Sequence, residues 1–184
     1  MAKASWLRFL GFGSSPKAPT NILLRDAREQ APHRVVQIGL SPLDDVHAFI
    51  TECQHQAGEP VSFVGIDWFE AANTERPLSL KEAHRKLGTT HAHVRLLPGS
   101  VADVLPRVAN DLLQTDWVIV GRQPDISPCY DDMAAQVLWK YLPRMLHAGS
   151  RIYLHQFDAE GATDWRILGK SDLPQPFLQH RRAA

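Results

Sequence analysis

The sequence predicts an α/β domain built on a doubly wound, mostly parallel sheet of five to six strands. Three observations carry that expectation. Short β-branched runs alternate with longer segments of helical periodicity. The short runs are almost continuously apolar, as strands buried on both faces are. Strands separated by helices need crossover connections, which make neighbouring strands parallel.

The elements follow in order. Residues 13–20 (Gly-Ser-Ser-Pro-Lys-Ala-Pro-Thr) read as a linker. Residues 1–20 are therefore expected to be a flexible arm and 21–184 a single domain. Residues 22–31 suit a short helix that Pro32 ends. Val35–Leu40 is the first predicted strand. Residues 42–57 place Val46, Phe49, Ile50, Cys53 and Ala57 on one helical face. Val61–Asp67 is the second strand. Residues 79–87 read as a helix with Ser79 as N-cap and Gly88 just past its end. Val94–Leu97 is the third strand. Pro106 is expected to delay or kink the helix within 100–114. Trp117–Gly121 is the fourth strand and 131–147 the longest helix. Arg151–Phe157 and Trp165–Gly169 read as a hairpin over Asp158–Gly161.

Composition narrows the function classes. The chain has 184 residues, 44% of them apolar, enough for one domain with a full core. Lys plus Arg and Asp plus Glu each number 20, so there is no basic excess of the kind nucleic-acid binders carry. Cys53 and Cys129 form no metal-ligand or redox pair, which points to free thiols in a reducing compartment and a cytoplasmic location. No apolar run reaches the roughly 18 residues of a membrane span. The apolar stretch 5–12 (Ser-Trp-Leu-Arg-Phe-Leu-Gly-Phe) is short for a signal peptide. It leaves open membrane-surface contact, packing on the domain, or a role in a homo-oligomer.

In a sheet of this kind ligands sit beyond the carboxyl ends of the strands, near the switch in strand order. The residues there are Gly39 to Asp45, Asp67 to Glu70, Pro98 to Ser100, Gly121 to Asp125, and His155 to Asp158.

Their order resembles class I S-adenosylmethionine-dependent methyltransferases, in particular small O-methyltransferase-like domains, over residues 33–157. Val35-Val36-Gln37-Ile38-Gly39 is similar to that family's first motif and Val64-Gly65-Ile66-Asp67 to its second. Arg95 to Ser100, followed by Ala102 and Leu105-Pro106, resembles the segment lining the adenine. Asp116 to Val120, Tyr130-Asp131-Asp132 and His147 to Ser150 complete the order. The resemblance implies a Rossmann-like fold, S-adenosylmethionine as cofactor, and a small-molecule hydroxyl or similar acceptor. It implies cofactor contacts from Gly39, Leu40, Asp67, Trp68, Gly99, Ser100 and Gly121.

The chemistry of these residues fits such roles. A carboxylate such as Asp67 accepts both hydrogens of a ribose diol. Gly99 permits close backbone approach. Ser100 offers a hydroxyl and an N–H to an adenine edge, or it caps the next helix. Trp68 and Phe69 could flank a flat ring, or pack in the core. His155, near the end of the fifth strand, and Asp125 are the candidate general bases for an acceptor hydroxyl. His91 and His93 precede the third strand, at the opposite end, and read as surface residues.

The pattern also departs from the family. Gln37 stands where an acid is usual, and Gly39 has no further glycines after it. Ser41-Pro42-Leu43-Asp44 reads as a self-capped helix start. With Asp44 and Asp45 it would turn away a pyrophosphate, so neither NAD nor FAD is expected. Strand four is followed by Gly121-Arg122-Gln123-Pro124 where metal-dependent relatives carry an acid, so a metal is not expected, although Asp125, Asp131 and Asp132 could gather round a hard cation. The family has a helix and two strands after strand five, and here the C-terminal edge is expected to be shortened. Two readings stay open: a small methyltransferase, and a non-catalytic module of the same fold serving binding or assembly.

Overall fold

The computed structural model of the chain describes residues 20–72, 77–121, 133–157 and 163–173. Helices α1 (Thr20–Gln30), α2 (Leu43–Ala57), α3 (Leu80–Leu87), α4 (Val101–Val108) and α5 (Met133–Met145) alternate with strands β1 (Arg34–Ile38), β2 (Ser62–Asp67), β3 (His93–Pro98), β4 (Thr115–Val120) and β5 (Leu146–Phe157). Strand β6 (Thr163–Gly169) closes the order.

The six strands form one sheet in the order β3-β2-β1-β4-β5-β6. All neighbours are parallel except β6, which pairs antiparallel with β5 from Arg151↔Gly169 to Phe157↔Thr163. The chain steps outward from β1 to β3, returns to place β4 beside β1, and steps outward again. The switch point therefore lies between β1 and β4.

Period-two alternation sends each strand's side chains to two cores. Val36, Ile38, Val64, Ile66, Val118 and Val120 meet α4 and α5 on one face. Val35, Phe63, Trp117, Ile119 and Tyr153 meet α1, α2 and α3 on the other. Trp117 stands between Phe49, at 5.9 Å, and Tyr153, at 4.7 Å. Both faces of the sheet are thus covered, which is why its strands read as continuous apolar runs. Among the described residues no helix is long and apolar enough to cross a membrane.

Three local expectations need correcting. Helix α2 starts at Leu43 and its N-cap is Pro42, with no side-chain cap bond. Ser41 lies one residue outside and is exposed, so the start is not self-capped. Gly88 stands just past the end of α3, as expected, as its C-cap in right-handed geometry (φ −61). The chain continues through a 3-10 turn, and His91 (φ 61) supplies the left-handed residue. Pro106 does not delay α4, because Ser100 caps that helix through the Asp103 N–H and nucleates it at Val101. Strand β5 begins at Leu146, directly after α5, with a register shift between Thr115 and Trp117 that absorbs the extra residues. The hairpin turn at 158–161, Cys129 and the arm 1–19 lie outside the described residues.

Candidate functional site

The carboxyl ends of β1, β2, β3 and β4 are tied together by their glycines. Gly39 N–H donates to Ile66 O (2.9 Å), Gly99 N–H to Asp67 O (2.9 Å) and Gly121 N–H to Ile38 O (2.7 Å). Each bond extends the ladder one residue past a strand. Gly39 (φ 80) and Gly99 (φ 130) occupy backbone conformations that disfavour a side chain. At Gly121 a Cβ would lie 3.0 Å from Gly39 O, so the switch point is closed at backbone contact.

Asp67 ends β2 beside this point. One carboxylate oxygen accepts the Leu40 N–H at 2.7 Å, and the other accepts the Phe69 N–H at 3.3 Å. The second contact is an Asx-type turn, and it holds Phe69 at φ 49, a costly value for an aromatic residue. Phe69 is fully buried in the α2 core, whereas Trp68 is half-buried. The Trp68 indole N–H is shielded from solvent with no hydrogen-bond partner among the described residues.

Leu40 is completely buried. It packs over Gly65, where a Cβ would stand 2.9 Å from a Leu40 methyl and 2.9 Å from a Leu96 methyl. Its side chain is part of the core, and only its N–H faces the candidate site, through Asp67. Gln37, the residue that departs from the family pattern, is buried and donates its amide to Gly39 O at 3.0 Å. It braces the first turn from beneath. That brace was not foreseen, and the one signal for it was an uncharged amide where an acid is usual.

Ser100 is buried and its hydroxyl is used locally. It donates to Asp103 Oδ2 (2.7 Å) and accepts from Asp103 N–H (3.1 Å). His155 sits at the carboxyl end of β5, edge-on to Trp165 at 4.9 Å. Three strand spacings separate β5 from β2, so His155 and Asp67 stand roughly 14 Å apart across the sheet. Asp125, Asp131 and Asp132 lie outside the described residues. Among those described, no three His, Cys, Asp or Glu side chains gather as a metal site would require.

No protein-family model matches the sequence, and no curated protein matches it. Solved structures do match the fold. The trans-methyltransferase CalH in complex with SAH superposes with a TM-score of 0.52 at 15% identity, covering 76% of this chain and 36% of that one. The O-methyltransferase TomG from Streptomyces achromogenes, in complex with SAM, superposes at 0.52 with 16% identity, covering 74% and 54%. The apo TDP-rhamnose 3'-O-methyltransferase CalS11 superposes at 0.54 with 15% identity, covering 77% and 63%. The chain has a class I methyltransferase-like fold. It spans between about a third and two thirds of the length of these three proteins.

Asp67 is partly exposed and each carboxylate oxygen accepts one backbone N–H, which leaves acceptor capacity on both. Gly99, without a side chain, and the unmatched Trp68 N–H lie at the ends of the same two strands. A ribose diol and a flat base are compatible with this set. The Ser100 hydroxyl gives its one hydrogen to Asp103, so it has none left to donate to a base edge.

Proposed function

We propose that the carboxyl end of this sheet binds S-adenosylmethionine. The protein would then be a methyltransferase acting on a small-molecule hydroxyl or a similar acceptor. The observation that supports this most is Asp67, a carboxylate with an unused lone pair on each oxygen, beside the switch point of a methyltransferase-like sheet. In this reading Asp67 accepts the two ribose hydroxyls. Gly39 and Gly121 bring the backbone close to the ligand, and the Trp68 N–H donates to its base. The cofactor supplies an electrophilic methyl on a sulfonium. The chain's own task is orientation, which is where such transfers gain most of their rate. His155 or Asp125 would take the proton of the acceptor hydroxyl, and the wide separation of His155 from Asp67 suits an acceptor lying beyond the ribose.

The reading extends to what the site turns away. Asp44 and Asp45 occupy the first turn of α2, and although Lys86 pairs with Asp44, a dinucleotide pyrophosphate would add its charge to two acids there. NAD and FAD are therefore poor ligands, on the charge of that turn and not on any cap.

One observation favours the other reading, a non-catalytic module serving binding or assembly. Leu40 fills the space over Gly65 and gives its N–H to the very carboxylate that the ribose needs. Titration with S-adenosylhomocysteine by calorimetry separates the two. Saturable heat, weakened about tenfold or more by Asp67→Ala and less by Asp67→Asn, is expected for the enzyme. Absence of both heat and thermal stabilisation at millimolar ligand would overturn the enzyme reading.

A further inference from the structure

The opposite end of the sheet carries a groove that the proposed function does not use. We propose that it binds a small organic anion with an apolar body, an aryl or short-chain carboxylate or its phosphate counterpart. The groove has a volume of about 400 Å³, within the range of small-molecule sites.

Its floor comes from strand register. Arg34, Ser62 and His93 are partners across β1, β2 and β3, and Val36, Val64 and Arg95 form the next row. Being two residues apart on each strand, both rows share one face, the face that α4 covers. Helix α4 has only eight residues, about 12 Å of rise, whereas β2 spans about 20 Å. Past its end the turn 109–114 takes over, and the groove opens between that turn and the amino ends of the strands, above Val36 and Val64, which are themselves nearly closed (1% and 6% exposed).

The far wall is the turn after α4, and local bonds hold it in place. Asp111 N–H donates to Val108 O at 2.8 Å, and the Thr115 hydroxyl donates to Leu112 O at 2.8 Å. Buried Leu112 joins Val36 and Val64 to form an apolar patch.

Charge decides the ligand's sign. Arg34, Arg95 and His93 line the groove against one acid, Asp111, which lies 3.3 Å from Arg95. A guanidinium has five N–H donors, so this contact leaves most of those of Arg95 available. The Arg34 side chain has no hydrogen-bond or ion-pair partner among the described residues, since Asp116 takes only its backbone N–H. Two forked cations beside a valine floor suit a carboxylate or phosphate on an apolar body. A cation or a neutral polar molecule finds no matching set.

The test uses the full chain, isotopically labelled, titrated by NMR with 1-naphthoate, 1-naphthyl phosphate and 1-naphthalenemethanol. Saturable shifts are expected at Arg34, Ser62, His93 and Arg95 for the anions, with Gly39 and Asp67 unmoved. The better of the two anions names the head group. The alcohol should bind about tenfold more weakly or worse, and the Arg34→Gln, Arg95→Gln double variant should lose a similar factor, of which Arg34→Lys with Arg95→Lys restores only a part, the charge without the fork. Binding to the native chain should also weaken as salt rises, a readout that does not depend on any variant folding. No saturable shift at millimolar anion, equal binding of the alcohol, salt-independent binding, or shifts confined to the carboxyl ends would each overturn the proposal. None of these outcomes bears on S-adenosylhomocysteine binding, so the two sites fail or stand separately.

Discussion

Gly65 and Leu40 show how one missing side chain sets a loop. The loop after β1 can turn inward because β2 offers no Cβ at Gly65, and Leu40 takes that space. Gly65→Ala should therefore cost about 1–3 kcal/mol by overpacking, read as a lower urea midpoint with an unchanged slope. Leu40→Ala should cost about 2–5 kcal/mol by leaving a void. Cys53 makes a simpler case. It is fully buried, and burial pushes its thiol up to about 12. Thiolate being the reactive form, Cys53 should resist alkylation at pH 8 in the native protein and react once the chain is denatured. Mass mapping of the modified peptide checks it.

At the level of elements, caps explain where helices begin and why one expectation failed. Ser79 and Ser100 were legible as caps because each is followed three residues later by an acid before an apolar helix. Ser41 carries the same apparent signature, but Pro42 is extended (ψ 138) and takes the cap position, so the helix starts one residue late. A cap is a statement about backbone geometry, and residue spacing alone does not settle it. Ser100→Ala should cost about 1 kcal/mol by losing the cap. Because its hydroxyl is committed to Asp103, the substitution should leave affinity for S-adenosylhomocysteine nearly unchanged. A large loss of affinity would instead place that hydroxyl on the ligand.

At the scale of the molecule, a buried polar knot joins the first helix to strand β5. Asp26 in α1 is 2% exposed. It accepts from the Tyr153 hydroxyl at 3.1 Å and from Arg25 at 2.8 Å, with Arg151 at 3.6 Å. Asp26→Ala strands the buried Tyr153 hydroxyl, whereas Arg25 (60% exposed) and Arg151 (41% exposed) stay solvated, and should cost about 1–3 kcal/mol, with Asp26→Asn milder. Burial also pushes the Tyr153 phenol upward, as it does the Cys53 thiol. A group whose folded pKa lies above its unfolded value contributes stability that is fully present below the unfolded pKa and is lost as pH rises toward the folded one. The unfolded values are 9.0 for the thiol and 10.0 for the phenol. These two groups should therefore add no pH dependence up to about pH 8 and a progressive loss above about pH 9. Denaturant midpoints measured from pH 7 to 11 check this, and Cys53→Ala should remove the earlier part of the fall.

The sequence by itself determined the sheet and its order of elements, and it pointed to the carboxyl ends of the strands as the place to look for a cofactor. Buried parallel strands and amphipathic helices impose periodicities that each segment carries locally, so β-branched runs such as Val35 to Ile38 and Phe63 to Ile66 could be read one at a time. It also singled out Asp67, Gly39, Gly99 and Gly121, because strand ends are where glycines and acids have positional meaning. The tertiary structure decided what those residues touch. That Leu40 gives its N–H to Asp67, that Gln37 braces Gly39, and that Asp103 consumes the Ser100 hydroxyl depend on contacts between segments and on backbone angles. The groove at the amino ends belongs to the same class. His93 read as a surface residue and Arg95 as the start of the segment resembling an adenine lining, and only the parallel register beside Arg34 gathers them over one groove. Local pattern encodes which elements form, whereas the geometry of a site arises from distances between residues far apart in the chain.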